Sequence, residues 1–259
     1  MAAILPCGES IGKQAITFCF TDCEHQGIVA AVQELQRRFD LEVSVCPLLE
    51  TLNSGDPSDR RTVSPTQYSS LRRKPHSLEH GASFATSRMV EICHARSVQV
   101  LVDAAQSVGV LPLNLTELNA DFYAFTGHKW WCGAAGVGAL YVRPEARETL
   151  HPTFIGWRSV ITDAKGTPER FQPDGRAFEI ATSAIPLYPA LREAIAFHQA
   201  FAETRYSMIC DRSAYLWQRL KALPSVQCLK TSAPASGLVS FQVENGKHHN
   251  LVQYFEGMT

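Results

Sequence analysis

Two short segments of this sequence carry side chains suited to chemistry. They are Asp103–Gln106, which reads DAAQ, and Thr126–Lys129, which reads TGHK. Each follows an apolar run typical of a buried strand, residues 98–102 and 121–125 respectively. Ligands of open α/β sheets bind beyond the carboxyl ends of strands. The sequence therefore predicts that the acid of Asp103 and the amine of Lys129 face one crevice.

An acid and an amine in one crevice suit a pyridoxal phosphate (PLP) cofactor. A carboxylate beside the pyridine nitrogen keeps the ring protonated, and a lysine forms the Schiff base. Each residue also has a purely structural explanation. An Asp after a strand, such as Asp103, is typical of a helix cap. Lys129, which lies beside two tryptophans, could make a surface cation–π contact. Gln106 could simply be a packed or solvated side chain.

Strands and helices alternate on both sides of these segments. Residues 15–46 predict a strand, an amphipathic helix over 27–39 and a second strand. The turn between the first strand and the helix ends at His25. Without a role in chemistry, His25 would be a residue at the start of that helix. Helices are predicted over 188–202 and 206–223, and strands over 226–229 and 238–243.

These elements predict an α/β fold with a mostly parallel sheet flanked by helices. We expect a partial large domain over residues 1–197. The linking helices and the start of a small α+β domain would follow over 198–259. Residues 57–88 are basic and rich in serine, so we expect them to be irregular or disordered.

Composition excludes several classes of partner. The chain has 259 residues, a net charge of -1 and 45% hydrophobic residues, which is ordinary for a globular protein. This balance gives no electrostatic case for nucleic acid or anionic membranes. The apolar runs are too short for a membrane span, and the N-terminus is a poor signal peptide. We therefore expect a cytoplasmic protein.

The eight cysteines are scattered and are typical of small buried thiols kept reduced in a cytosol. Cys19, Cys23 and His25 resemble a metal cluster, but no second ligand pair has suitable spacing. We therefore expect no metal site.

The two segments, together with Glu24 and His25 before them, resemble the class V aminotransferase family. These are fold type I PLP enzymes that include the cysteine desulfurases. The resemblance covers most of 15–56 and 89–245. Within the family, Lys129–Trp131 and Phe154–Arg158 look most like cysteine/cystine C–S lyases of cyanobacterial type, closely followed by the isopenicillin-N-epimerase-like group.

The resemblance implies a PLP enzyme acting on a small amino-acid substrate, most of all by β-elimination from cysteine or cystine. Two alternatives remain. The protein could be an aminotransferase, a cysteine desulfurase or an epimerase of the same family, or it could be a catalytically inactive fragment.

The resemblance also implies roles around the cofactor ring. Lys129 would form the Schiff base and then carry the Cα proton. Asp103 would pair with the pyridinium nitrogen, and Gln106 would bond the phenolic oxygen. His25 would stack on the ring face and belongs with Lys129 to the catalytic residues.

Three further residues would hold the cofactor phosphate. Thr126 and His128 would do so through short hydrogen bonds. Thr182 lies where the family has a threonine from the partner subunit, so its role presupposes a homodimer.

The sequence departs from the family pattern in three places. The family's phosphate-binding loop precedes the first strand recognised here. Residues 57–88 replace a helix, a strand and an asparagine, and we interpret them as a frameshift compensated near Met89. The family's substrate-carboxylate arginine and desulfurase loop cysteine lie beyond Thr259, and Cys228 does not match that cysteine. Without the central strand we expect an opened sheet, low stability and weak or no activity.

Overall fold

The computed structural model describes residues 2–5, 16–21, 24–39, 41–46, 81–244, 250, 252–254 and 257. Most of the 57–88 segment, and with it the frameshift hypothesis, lies outside the described residues. Residues 81–88 were expected to be irregular, and that expectation is wrong. They form the first turns of a helix, Gly81–His94, whose later residue Val90 is buried in the core.

A six-stranded sheet forms the centre of the described fold. In chain order its strands are β1 (Ala2–Leu5), β2 (Ile16–Thr21), β3 (Leu41–Cys46), β4 (Gln99–Asp103), β5 (Phe122–Thr126) and β6 (Gly138–Val142). Their spatial order is β3-β2-β1-β4-β5-β6. Strands β2 to β5 run in one direction, as predicted, while β1 and β6 run antiparallel to their neighbours.

Helices and two small hairpins complete the described elements. The helices are α1 (Gln26–Arg38), α2 (Gly81–His94), α3 (Leu115–Leu118), α4 (Pro144–Arg147), a 3₁₀ turn (Gly175–Phe178), α5 (Leu187–Gln199) and α6 (Ala202–Lys221). The hairpins pair β7 (Val160–Thr162) with β8 (Pro168–Phe171), and β9 (Val226–Cys228) with β10 (Phe241–Val243). In the described part of the chain, none of the helices is both long and apolar enough to cross a bilayer.

Strand β1 closes the gap that the family pattern led us to expect between β2 and β4. Ala2 lies opposite both Phe20 of β2 and Leu101 of β4. The sheet is therefore continuous, and the expected opening is wrong for the described residues. By pairing with both neighbours, β1 supplies hydrogen-bond partners for backbone groups of β2 and β4 that would otherwise be unpaired.

Two apolar clusters pack against this sheet. The larger lies between α2 and strands β4 and β5 and is centred on Val90, Val100, Val102 and Tyr123. The smaller joins α1 to β2 through Val32, Phe18 and Phe20. Both clusters follow the alternation that predicted the strands, because alternate side chains of a strand point to one face.

A buried carboxylate fixes the start of β5. Asp121 is 1% exposed, and its Oδ2 accepts hydrogen bonds from the Val100 backbone N–H at 2.7 Å and from His94 Nε2 at 2.8 Å. Its Oδ1 accepts from Arg143 Nη2 at 2.6 Å. Burial raises the pKa of Asp121, but the bonds from His94, Arg143 and Val100 together outweigh it and leave the pKa below its ordinary value.

We expect Asp121→Asn to lower the free energy of unfolding by about 3–5 kcal/mol, because it leaves Arg143 without its buried counter-charge and weakens the hydrogen bond to His94. The native pKa of Asp121 lies below its unfolded value. Its stabilisation is therefore complete above a pH of about 4 and is lost as the pH falls through the native pKa.

Urea unfolding between pH 7 and pH 3 measures both effects. The gap between wild type and Asp121→Asn should narrow at the acid end. Asp211→Asn, on an exposed position of α6, is the matched control and should stay close to wild type. A gap of constant size over the whole range would contradict the assigned role of the carboxylate.

Candidate active site

The three segments singled out in the sequence lie at one edge of the sheet. Strand β2 leads to His25, β4 ends at Asp103, and β5 ends at Thr126. These strands run in one direction. Because Ala2 lies opposite both Phe20 and Leu101, the ends of β2 and β4 are level. The predicted convergence of these strand ends on one edge is therefore present.

Asp103 is half-buried at the end of β4, and one carboxylate oxygen is used locally. Its Oδ1 accepts from the Ala105 N–H at 3.0 Å. The alternative explanation of Asp103 as a helix cap is wrong, because a turn and not a helix follows it, and this oxygen caps that turn. Within the described part of the chain the second oxygen makes no hydrogen bond, so it can face a ligand.

A side-chain hydrogen bond joins the two motif segments. The indole Nε1–H of Trp130 donates to Gln106 Oε1 at 2.8 Å. Because the carbonyl end of this amide is engaged, its NH₂ group is the end left to donate. Gln106 is exposed at this edge, so its donor group is accessible to a bound molecule.

The turn after β4 also approaches the lysine segment closely. Gly109 has a φ of 84°. A methyl group added there would lie 3.1 Å from the Trp130 carbonyl carbon and 3.1 Å from the Trp131 nitrogen. Glycine suits this position because any other residue would add left-handed strain and a tight contact with the backbone of Trp130 and Trp131.

The predicted phosphate ligands are partly assembled. Thr126 Oγ1 lies 2.6 Å from His128 Nδ1, so the two side chains are hydrogen-bonded beyond the end of β5. Thr182 lies in the exposed loop between the 3₁₀ turn and α5. In the described contacts it makes no hydrogen bond to another predicted site residue.

His25 caps α1 as its structural explanation proposed. Its Nδ1 accepts from the Gly27 N–H at 3.1 Å, and the residue is exposed. It stands on the same sheet edge as Asp103 and Lys129, but no described contact joins it to either. A metal role gains no support: the described residues contain no group of three potential metal ligands, and Cys23 lies outside them.

Lys129 borders a cavity of about 380 Å³ between its own turn and α6. The walls are apolar and basic, and they are formed by Lys129, Trp130, Cys132, His198, Phe201, Arg205, Met208, Ile209 and Arg212. The cation–π contact considered for Lys129 is made by another residue, because the Arg205 guanidinium lies 5.6 Å from the centre of the Trp131 ring.

Sequence reasoning missed Arg205 and His198. Arg205 donates to the Trp130 carbonyl at 2.6 Å, and His198 Nε2 lies 3.0 Å from the Trp131 carbonyl oxygen. Arg205 fell in the gap between the two predicted helices, whereas α6 begins at Ala202 and includes it. The spacing around these two residues carries no local signal of a contact so distant in sequence.

Comparison with known proteins identifies the family and the fold of this chain. The family model Aminotransferase class-V matches residues 3–258, so the chain belongs to the class V aminotransferase family. Its fold is that of the fold type I PLP-dependent enzymes, as the sequence predicted.

Two solved structures of C-DES are similar to the chain. One is a lysine-to-alanine mutant with glycine covalently linked to its PLP cofactor. It shares 38% identity at a TM-score of 0.77 and covers 93% of this chain and 64% of its own. The other is a complex of the cystine C–S lyase C-DES with its reaction product cysteine persulfide, at 38% identity, a TM-score of 0.76, and coverage of 92% and 65%.

Two curated relatives are probable cysteine desulfurases by name. The probable cysteine desulfurase of Chlamydia trachomatis is 32% identical over 179 residues, which are 68% of this chain and 44% of that protein. A probable cysteine desulfurase of Mycolicibacterium paratuberculosis is 32% identical over 162 residues, 62% of this chain and 23% of that protein. The chain thus spans less than half the length of these relatives.

The contact between the motif segments can be tested with a pair of glycine substitutions. Gly109→Ala should lower stability by about 2–4 kcal/mol, from left-handed strain and the collision with Trp130. Gly166→Ala is the matched control, because Gly166 has the same φ of 84° and open space around it. It should cost only about 1 kcal/mol. Equal losses in urea unfolding would show that the two segments do not touch.

Proposed function

We propose that this chain binds PLP at the carboxyl edge of β4 and β5 and cleaves the C–S bond of cysteine or cystine by β-elimination. The observation that carries the proposal is the bond from Trp130 to Gln106, which holds the Asp103 and Lys129 segments together at that edge. The 38% identity to the cystine C–S lyase C-DES over 92% of the chain favours a cysteine-derived substrate.

The side chains at this edge fit the chemical groups of the cofactor. The carboxylate of Asp103 suits a protonated pyridine, and the free NH₂ of Gln106 suits a phenolic oxygen. The amine of Lys129 suits an aldehyde. Thr126 and His128 offer a hydroxyl and an imidazole at the end of β5, where short donors suit a phosphate.

The proposed chemistry divides between cofactor and chain. Bound PLP would withdraw electrons from the Cα atom of the amino acid. The Nζ of Lys129 would take the Cα proton, and Asp103 would hold the proton on the ring nitrogen. Gln106 would donate to the phenolic oxygen, and the His25 ring would cover one face of the site. Cleavage of the Cβ–S bond would release sulfide from cysteine or cysteine persulfide from cystine, and addition of water to the remaining three-carbon fragment would give pyruvate and ammonia.

We further propose that the enzyme is a cytoplasmic homodimer in which Thr182 of one subunit reaches the phosphate held by the other. Support comes from exposed apolar side chains in the loop of Thr182 and in the loop around Gly156: Ile180 and Ile185 in the first, Phe154, Ile155 and Trp157 in the second. The two loops adjoin, since a methyl group at Gly156 would overlap the Ile180 backbone. Large exposed apolar patches mark interaction sites.

A cysteine desulfurase is the second candidate, and the curated relatives favour it. Products separate the two activities. A C–S lyase releases pyruvate from cysteine, whereas a desulfurase leaves alanine after the sulfur is removed. Both reactions require the same proton transfer at Cα by Lys129.

Lys129→Ala tests the proposal directly. Wild type incubated with PLP should gain a near-visible absorption band, and borohydride reduction should fix PLP on Lys129, as peptide mass spectrometry will show. With cysteine it should release pyruvate and sulfide. Lys129→Ala should lose the band and at least about 10³-fold of the rate. Lys165→Ala, in an exposed turn, should behave like wild type. A wild type that stays colourless with PLP would refute the proposal.

Gln106→Glu tests the amide donor. Glutamate can still accept from Trp130, but it brings a negative charge instead of a donor to the phenolic oxygen. We expect the Kd for PLP to rise about tenfold or more with little change in stability. Absorbance titration measures this Kd, and Gln227→Glu on the exposed middle of β9 is the control. Unchanged PLP affinity would remove Gln106 from the site.

A further inference from the structure

Two side chains from the α5–α6 region hold the backbone immediately after Lys129. Arg205 of α6 donates through Nη2 to the Trp130 carbonyl at 2.6 Å. His198 of α5 lies with Nε2 3.0 Å from the Trp131 carbonyl oxygen. The two are also bonded to each other, because Arg205 Nε donates to His198 Nδ1 at 3.1 Å.

These contacts define the protonation of His198. Its Nε2 faces a carbonyl, which only accepts, so Nε2 carries a proton. Its Nδ1 accepts from Arg205 and therefore carries none. The network is complete only when His198 is neutral. Protonation of Nδ1 would remove the bond from Arg205 and place a second cation against its guanidinium.

The turn itself leaves little freedom. The Lys129 carbonyl accepts from the Cys132 N–H at 3.0 Å, and Cys132 has a left-handed φ of 54°. The carbonyls of Lys129, Trp130 and Trp131 are thus all bonded in succession. On the opposite side, the Trp130 indole is held by Gln106. Rotation of any peptide in this turn breaks at least one bond.

We propose that Arg205 and His198 form a positioning clamp that fixes the turn carrying Lys129 and so orients its amine. The purpose of the clamp rests on the proposed function, but its hydrogen bonds are formed between residues of this chain and need no bound cofactor. Neither residue is a catalytic residue, since both act on backbone carbonyls and not on the amine.

Burial and the positive charges around the clamp favour the neutral form of His198. The titratable or charged groups that share its cavity wall are Lys129, Cys132, Arg205 and Arg212, and this lining contains no carboxylate. Burial, followed by the positive charge of Arg205, lowers the pKa of His198. The neutral form therefore persists at neutral pH, and the clamp loosens as the pH falls through the native pKa.

Hydrogen exchange of the protein without PLP, read by mass spectrometry over residues 127–135, measures the clamp. Arg205→Met should accelerate exchange in this segment by about tenfold or more, because the Trp130 carbonyl loses a charge-assisted partner. Arg205→Lys, which keeps the charge and the stem, should give a smaller increase. Arg212→Met removes a cation from the same cavity wall. Among the described contacts Arg212 makes no hydrogen bond to the turn, so this variant should leave exchange unchanged.

A second readout separates positioning from simple packing. PLP is added, trapped with borohydride, and its attachment to Lys129 is timed. Arg205→Met should slow trapping by about tenfold. In wild type the trapping rate should fall at acid pH, because the clamp loosens. His198→Gln, which keeps a donor for the Trp131 carbonyl, should retain the wild-type rate at neutral pH and should not show that fall. Unchanged exchange in Arg205→Met overturns the clamp. If Arg205→Met exchanges faster but traps PLP at the wild-type rate, the clamp does not position the amine of Lys129. If wild type itself traps no PLP, the proposed function fails, while the exchange result still decides the clamp.

Discussion

The buried carboxylate of Asp121 holds β4 and β5 in register, and the position of the candidate site depends on that register. Asp121 precedes β5 and accepts a bond from the Val100 backbone of β4. A shift of either strand would break this bond and expose an ion that is 1% accessible. The same register places Asp103 opposite Ala124, so that the two motif segments begin side by side at the other edge.

The register also explains why contacts at the far edge can be so close. Gly109 approaches the backbone of Trp130 and Trp131, and Gln106 reaches the Trp130 indole. Neither contact tolerates a displaced strand, because each is a van der Waals or hydrogen-bond distance. The third segment joins this edge through β1, which aligns β2 with β4 although the two do not pair directly. His25 is therefore held less tightly to the site than Asp103 or Gln106.

The sequence predicted those parts of the fold that local pattern determines. Apolar runs located β2 to β5, and their ends located Asp103, Thr126 and Lys129 at one edge. The pattern could not reveal Asp121 as an anchor, because its partners His94 and Arg143 are brought near only by the folded sheet. The helix over residues 81–88 was missed since basic, serine-rich sequence resembles a loop. Arg205 and His198 were missed because packing of α5 and α6 against the Lys129 turn leaves no periodic signal.

The two halves of the candidate site differ in how they are built. Around Lys129 the chain supplies its own support: Gln106 holds the Trp130 indole from one side, and Arg205 and His198 hold the backbone from the other. The proposed phosphate side is open, since His128 and Thr182 are exposed. Exposed donors are screened by water and hold an anion weakly. A second subunit over the apolar loops beside Thr182 would exclude that water, so phosphate affinity should depend on dimerisation more than the orientation of Lys129 does.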